Sequence, residues 1–248
     1  MKRFVAGLIL IGIIGACASL LFGRLGAAGD ENNFFNSHYR ARLAAQPLLR
    51  KFFGLHETGD AKSDYLGPHY QNIIVEVDSL SGANPAPTIL SQLADRIKEV
   101  TGKDASIYFS DGDIALDQSV SPTDVDRIAA GYRNKWTEGN TAVVYLLVLD
   151  APPADDPTLL GETHHEDEII LFTKALRDFT AGSSSTYDNY ELSTALHEFG
   201  HLLGLPHNER PGCLMNSHAE ADHVPQYYAG DVVTDFCPYE KQLITAGK

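Results

Sequence analysis

The stretch HEFGHLLGLPH, His197 to His207, constrains the fold of this chain more than any other. His197 and His201 are four residues apart, so on a helix both leave the same face about one turn apart. Leu192, Leu196, Phe199 and Leu203 point elsewhere and can carry the packing, which divides the helix between core and chemistry. Gly204 can take a positive φ and end the helix. Pro206 then blocks continuation and biases Leu205 to an extended backbone. The chain turns away, and His207 can return to the two imidazoles. Three imidazoles at this spacing can hold one tetrahedral zinc and leave its fourth position to water, as catalytic sites do and structural sites do not. Glu198 stands beside His197, where a general base belongs. Histidines satisfied on a packed helix are the competing reading. It does not account for the glycine and proline that bring His207 round.

The segments upstream supply a sheet for this helix. NIIVEVD reads as a strand, with Ile73, Ile74, Val75 and Val77. APTILSQLADRIKEVTG reads as a helix: Pro87 suits its first turn, Ile89, Leu90, Leu93, Ile97 and Val100 form one stripe, and Gly102 ends it. ASIYFS is a second strand. SPTDVDRIAAGYRNKW is a second helix, capped by Ser121 with Pro122 behind it, burying Val125, Ile128, Ala129, Tyr132 and Trp136. TAVVYLLVLD is apolar on both faces and reads as a central strand. DEIILFT, Asp167 to Thr173, reads as an edge strand that can run antiparallel, since no helix precedes it. DNYELSTALHEFGHLLG is a helix opened by Asp188, with Glu191 placed for a capping box. This order implies an α/β (α+β) fold, a mostly parallel twisted sheet with helices packed on it.

The 248 residues suit one domain plus appendages, and 44% hydrophobic residues can bury a real core. A formal net charge of −14 repels phosphate backbones and argues against nucleic acid as a partner. Lys2 and Arg3 precede FVAGLILIGIIGACASLLF, an uncharged run of 19 residues, Phe4 to Phe22. Signal anchor, lipoprotein signal (IGAC resembles a lipobox ending at Cys17) and cleaved signal peptide all remain open for residues 1–23. Each sends the rest of the chain out of the cytoplasm, tethered to the membrane or secreted. Residues 24–70 read as a spacer, and residues 71–248 as the folded domain. Beyond Cys17 only Cys213 and Cys237 remain, a pair that can close a disulfide in an oxidising compartment.

His197, Glu198, His201, Gly204 and His207 match H-E-x-x-H-x-x-G-x-x-H, and the chain thereby resembles the metzincin zinc metallopeptidases. CLMN follows, and Met215 lies eight residues after His207, a spacing similar to that of matrixins and archaemetzincins. The resemblance implies a metzincin-like catalytic domain with a methionine turn beneath one catalytic Zn²⁺. It implies ligation by His197, His201 and His207, with Glu198 as the base for peptide hydrolysis. A peptide or protein substrate would lie along the edge strand, expected over Asp167 to Thr173.

The chain also departs from these relatives. Archaemetzincins carry a cysteine after the third histidine and a later C-x-x-C that build a second zinc site. Here Asn208 follows His207, and CPYE places Glu240 where the last cysteine would be, so a Cys213–Cys237 disulfide is expected instead. The tyrosine that follows the methionine in astacins and serralysins is replaced by Ser217, which leaves His218, Tyr227 and Tyr228 as substitutes to weigh against a plain surface or packing role. Residues 24–70 hold no cysteine for matrixin-like latency, which leaves Asp60 or Asp64 as the other inhibitory ligands to consider. Asp111, Asp113 and Asp117 read as a solvated acidic turn, since their spacing is not that of a calcium loop. His164 and His165, in THHEDE, read as a polar loop at the substrate cleft, with a second metal as the alternative. A zinc-containing module that has lost catalysis is the alternative for the whole chain.

Overall fold

The computed structural model describes residues 2–30, 32–79, 85–110, 119–180, 184–216 and 232–246; the side chains of residues 2–11 and 184–186 fall outside that description. Its centre is a five-stranded sheet of Asn72–Ser79 (β1), Asp104–Phe109 (β2), Thr141–Leu149 (β3), Gly161–His164 (β4) and Glu168–Phe172 (β5), in the order β2-β1-β3-β5-β4. β1 runs parallel to β2 and β3, and β3 parallel to β5. Only β4 is antiparallel, paired with β5 through Gly161 to His164. The sheet is thus mostly parallel, as the alternation of strands and helices implies.

One strand is placed differently from its expected position. Asp167 to Thr173 is not an antiparallel edge. Its Glu168–Phe172 part lies between β3 and β4, parallel to β3 and buried throughout, and Thr173 already opens a helix, Thr173–Phe179. The edge belongs to Gly161–His164, in the stretch read as a loop. The physical signal was present: EIILF lacks the apolar–polar alternation of a strand with one wet face.

Two long helices cover one side. Pro87–Thr101 (α5) packs on β2, and Ser184–Leu202 (α8) packs on β4, β5 and α5. α5 buries Ile89, Leu90, Leu93, Ile97 and Val100 and ends at Gly102 in the left-handed region, φ 77°. α8 starts before Asp188, so Asp188 does not open it and Glu191 caps nothing. Glu191 instead accepts a hydrogen bond from the Tyr187 hydroxyl one turn earlier, at 3.1 Å. Burial pushes its carboxyl up to about 7. The second predicted helix is Pro122–Tyr132 (α6), begun by a capping box between Ser121 and Asp124. It buries Val125, Ile128 and Ala129, but it ends at Tyr132, which leaves Tyr132 and Trp136 exposed. Trp136 lies 4.3 Å from the guanidinium of Arg133.

Residues 24–70 are more than a spacer. The short helices Ala41–Ala44, Pro47–Phe53 and Lys62–Leu66 lie in this segment, after the helix Lys2–Ala27. Ala61, Tyr65, Leu66 and Tyr70 belong to the main core. The Tyr65 ring meets Phe199 edge-on at 5.7 Å, and its hydroxyl donates to the Val143 carbonyl of β3 at 3.0 Å. The packed unit therefore begins before residue 71. Asp60 and Asp64, considered as inhibitory ligands, are engaged by arginines: Arg40 holds Asp60 and Arg50 holds Asp64. Lys103 adds a hydrogen bond to the Asp64 carbonyl at 2.7 Å. Among the described residues no helix is long and apolar enough to cross a membrane. The first part of the run from Phe4 to Phe22, up to residue 11, lies outside the described side chains.

Candidate metal centre

The end of α8 builds the site. The Gly204 amide closes on His201 O at 2.8 Å and the Leu205 amide on Gly200 O at 3.0 Å, with Gly204 at φ 78°. This tight ending turns the chain, and Pro206 keeps it out of the helix. His207 then faces back to the two helical histidines. Its Nε2 lies 3.1 Å from Nε2 of His197 and 3.1 Å from Nε2 of His201.

The opposite side of each helical ring fixes its tautomer. His197 Nδ1 donates to the Leu214 carbonyl at 2.8 Å, and His201 Nδ1 to the Leu205 carbonyl at 3.0 Å. With the proton on Nδ1, each Nε2 presents a lone pair to the common point. A proton on His207 Nε2 can satisfy one of those lone pairs at a time, whereas a cation satisfies all three nitrogens together. Zinc–nitrogen bonds of about 2.0–2.1 Å at tetrahedral angles separate the nitrogens by about 3.3 Å. The observed 3.1 Å and the all-nitrogen donor set therefore fit a zinc ion.

Glu198 is 2% exposed and lies on the sheet side of the same turn, where the Thr163 hydroxyl of β4 donates to its Oε2 at 2.7 Å. Thr163 was not legible in the sequence as part of the site. Nothing in GETHH marks it until β4 is known to run beside α8. The bond ties the carboxylate to the strand edge.

Met215 is wholly buried beneath the helix. Gly200 makes room for it, since a Cβ there would come within 2.4 Å of Met215 Sδ and 3.1 Å of the Phe236 ring. The methionine turn is held by one buried carboxylate. Glu240, in the helix Pro238–Ala246 (α9, counting Thr173–Phe179 as α7), accepts from the amides of Met215 at 2.7 Å, Leu214 at 3.2 Å and Cys237 at 2.9 Å. It also accepts from Asn208 Nδ2 at 3.0 Å, and the Asn208 amide donates to Met215 O at 2.7 Å. Cys213 and Cys237 are joined by a disulfide. The four positions that resemble a second archaemetzincin zinc site are thus occupied by a covalent link and an Asn208–Glu240 hydrogen bond. Leu214, whose carbonyl orients His197, sits inside this frame.

The other residues singled out fall elsewhere. His164 and His165 gather with Asp126 as a separate group. Ser217, His218, Tyr227 and Tyr228 lie outside the described residues, as do Asp111, Asp113 and Asp117.

A family model for the matrixin peptidases matches residues 109–231, a span that contains the three histidines, Glu198 and Met215. Among solved structures, an archaemetzincin from Methanopyrus kandleri superposes with a TM-score of 0.52 at 13% identity, covering 73% of this chain and 97% of that one. An archaemetzincin from Archaeoglobus fulgidus complexed with malonate gives 0.45 at 18% identity, over 69% and 98% of the two chains. A zinc-dependent peptidase from Methanocorpusculum labreanum gives 0.47 at 16% identity, over 69% and 99%. No curated protein matches the sequence. The likeness to the matrixin peptidases in sequence and to an archaemetzincin in fold supports a zinc metallopeptidase.

Proposed function

We propose that this chain is an endopeptidase that cleaves extended peptide segments outside the cytoplasm, at one catalytic zinc held by His197, His201 and His207. The observation that carries the reading is the convergence of three Nε2 atoms beside a buried glutamate. Zinc bound there supplies a Lewis acid for the scissile carbonyl and lowers the pKa of the attacking water. Glu198 takes the proton from that water and delivers it to the leaving amine. Thr163, bonded to Glu198 Oε2, holds the carboxylate in line for both transfers. Met215 closes the floor below the imidazoles and stays out of their coordination. The substrate backbone pairs with the outer edge of β4, the strand that carries Thr163, by β-addition. The Cys213–Cys237 disulfide supports an oxidising compartment, and the apolar run from Phe4 to Phe22 supports export with a membrane tether.

The test is peptide cleavage by the full chain, with and without a chelator, beside Glu198→Ala. Loss of cleavage with chelator, its return with zinc, and a fall of roughly 10²–10⁴-fold in Glu198→Ala are expected. Cleavage that survives either treatment removes the reading. A chain that holds zinc at the three histidines and cleaves no member of a broad peptide library is a binding module.

A further inference from the structure

The turn between β4 and β5 brings a second set of donors together. His164 Nε2 and His165 Nε2 each lie 2.9 Å from the same oxygen, Asp126 Oδ1 of α6. The two rings are 4.0 Å apart between centroids. Neighbouring residues of a strand normally point to opposite faces. These two converge because His165 takes φ 55°, the only positive φ outside glycine among the described residues. Such a conformation persists where the surroundings hold it.

They do hold it. Thr58 donates to His165 O at 3.3 Å, and His56 Nδ1 meets Glu166 at 2.7 Å. Arg133 pairs with Asp167 at 2.6 Å and with Glu168 at 3.2 Å. Every residue from His165 to Glu168 is therefore fixed by a partner outside the turn, while Asp126 arrives on a capped helix. Glu168 stands opposite His164 in the β4–β5 ladder. Its Oε2 is buried and accepts no hydrogen bond among the described residues.

We propose that Asp126, His164 and His165 form a second site for a divalent transition metal, one that ties the β4–β5 turn to α6. Two imidazole nitrogens and one carboxylate oxygen, all within 4.8 Å of one another, are a donor set for Zn²⁺, Co²⁺, Ni²⁺ or Cu²⁺. Ca²⁺ and Mg²⁺ are disfavoured, since they call for shells of oxygen. His165 and Asp126 are about half exposed, so water completes the coordination and the ion enters directly from solvent. The site lies at the end of the strand that carries Thr163. Occupancy stiffens that strand without touching Glu198.

The experiment is a zinc and cobalt titration of the full chain with metal analysis, alongside Asp126→Asn and His164→Ala/His165→Ala. The wild type is expected to hold two equivalents and each variant one. The cobalt absorption bands of the histidine cluster on α8 should persist in both variants. A calcium titration should show no binding at the site. Asp126 is exposed, so Asp126→Asn tests ligation without disturbing the core. One equivalent in the wild type, or two in both variants, overturns the proposal. The readout is metal content, so its outcome is separate from that of peptide cleavage.

Discussion

Two clusters of imidazoles lie on this chain, and they differ in what stands behind them. At the end of α8, His197 and His201 are oriented from the rear by backbone carbonyls. One of those carbonyls, that of Leu214, is itself fixed by Glu240 and the disulfide at Cys213. At the β4–β5 turn, His164 and His165 are oriented by a strained backbone and an exposed carboxylate. The first cluster is preorganised by buried groups that nothing in water can replace. The second is held by contacts that solvent and salt weaken. A deep frame suits an ion that must stay through many turnovers, and a shallow one suits an ion that comes and goes.

The sharpest way to break this contrast is Glu240→Ala. Two buried amides and the partly buried amide of Cys237 would lose their acceptor at a cost of roughly 3 kcal/mol or more, read as a lower midpoint of thermal unfolding. Zinc affinity at the α8 histidines should fall with it, while the metal equivalent assigned to Asp126, His164 and His165 stays. If both equivalents weaken alike, the two clusters share one frame and the contrast is wrong.

Thr163→Val is a smaller cut, placed on the strand that joins the two regions. Loss of its hydrogen bond to Glu198 should lower kcat roughly tenfold with KM and metal content unchanged. A change in KM alone would mean that Thr163 contacts substrate and does not position the base.

The smallest effect is expected at Glu191, about two turns before Glu198 on the same helix. Its carboxyl titrates near 7 in the folded chain because of burial, against an ordinary value of 4.5. The folded state therefore binds more protons than the unfolded state between about pH 4.5 and 7, and stability falls as pH rises through that window. Glu168, also pushed up to about 7 by burial, adds to the same slope. Glu191→Gln should flatten part of it and raise stability at pH 8 by something on the order of 1 kcal/mol. Urea unfolding at pH 5 and pH 8 measures this. Zinc affinity that moved with Glu191→Gln would show that α8 as a whole, and not its carbonyl frame, sets the first cluster.

Much of the α8 site could be read from the sequence because its geometry is local. Helical spacing, a glycine stop and a proline determine where His197, His201 and His207 can meet. β3 and α5 were legible for the same reason, through continuous apolar burial and a clean stripe. The failures came where tertiary contacts decide. β4 is four residues long and polar on its open side, so its pairing leaves no pattern in the sequence, and the more apolar β5 reads as the edge in its place. Thr163 was hidden with it. Residues 24–70 resemble a spacer in sequence because the members that join the core, Ala61, Tyr65 and Tyr70, are spread among turn formers, and only the sheet shows that they share one core. Glu240 was visible as a departure from a cysteine pattern, but its role as acceptor for three amides depends on a loop closed by residues 24 positions apart.

Gly200 carries a lesson for anyone who would copy this centre. The spacing H-E-x-x-H leaves its fourth letter unspecified, and a helix by itself prefers alanine to glycine there by roughly 1 kcal/mol. Yet the sulfur of Met215 and the rim of Phe236 already fill the space where a methyl group would go. A designer who grafted the three imidazoles and the carboxylate onto a sturdier helix would satisfy every letter of the motif and evict its floor. The unwritten position sets how closely α8 can settle on the turn below, so transplanting the centre means transplanting an empty volume along with the ligands.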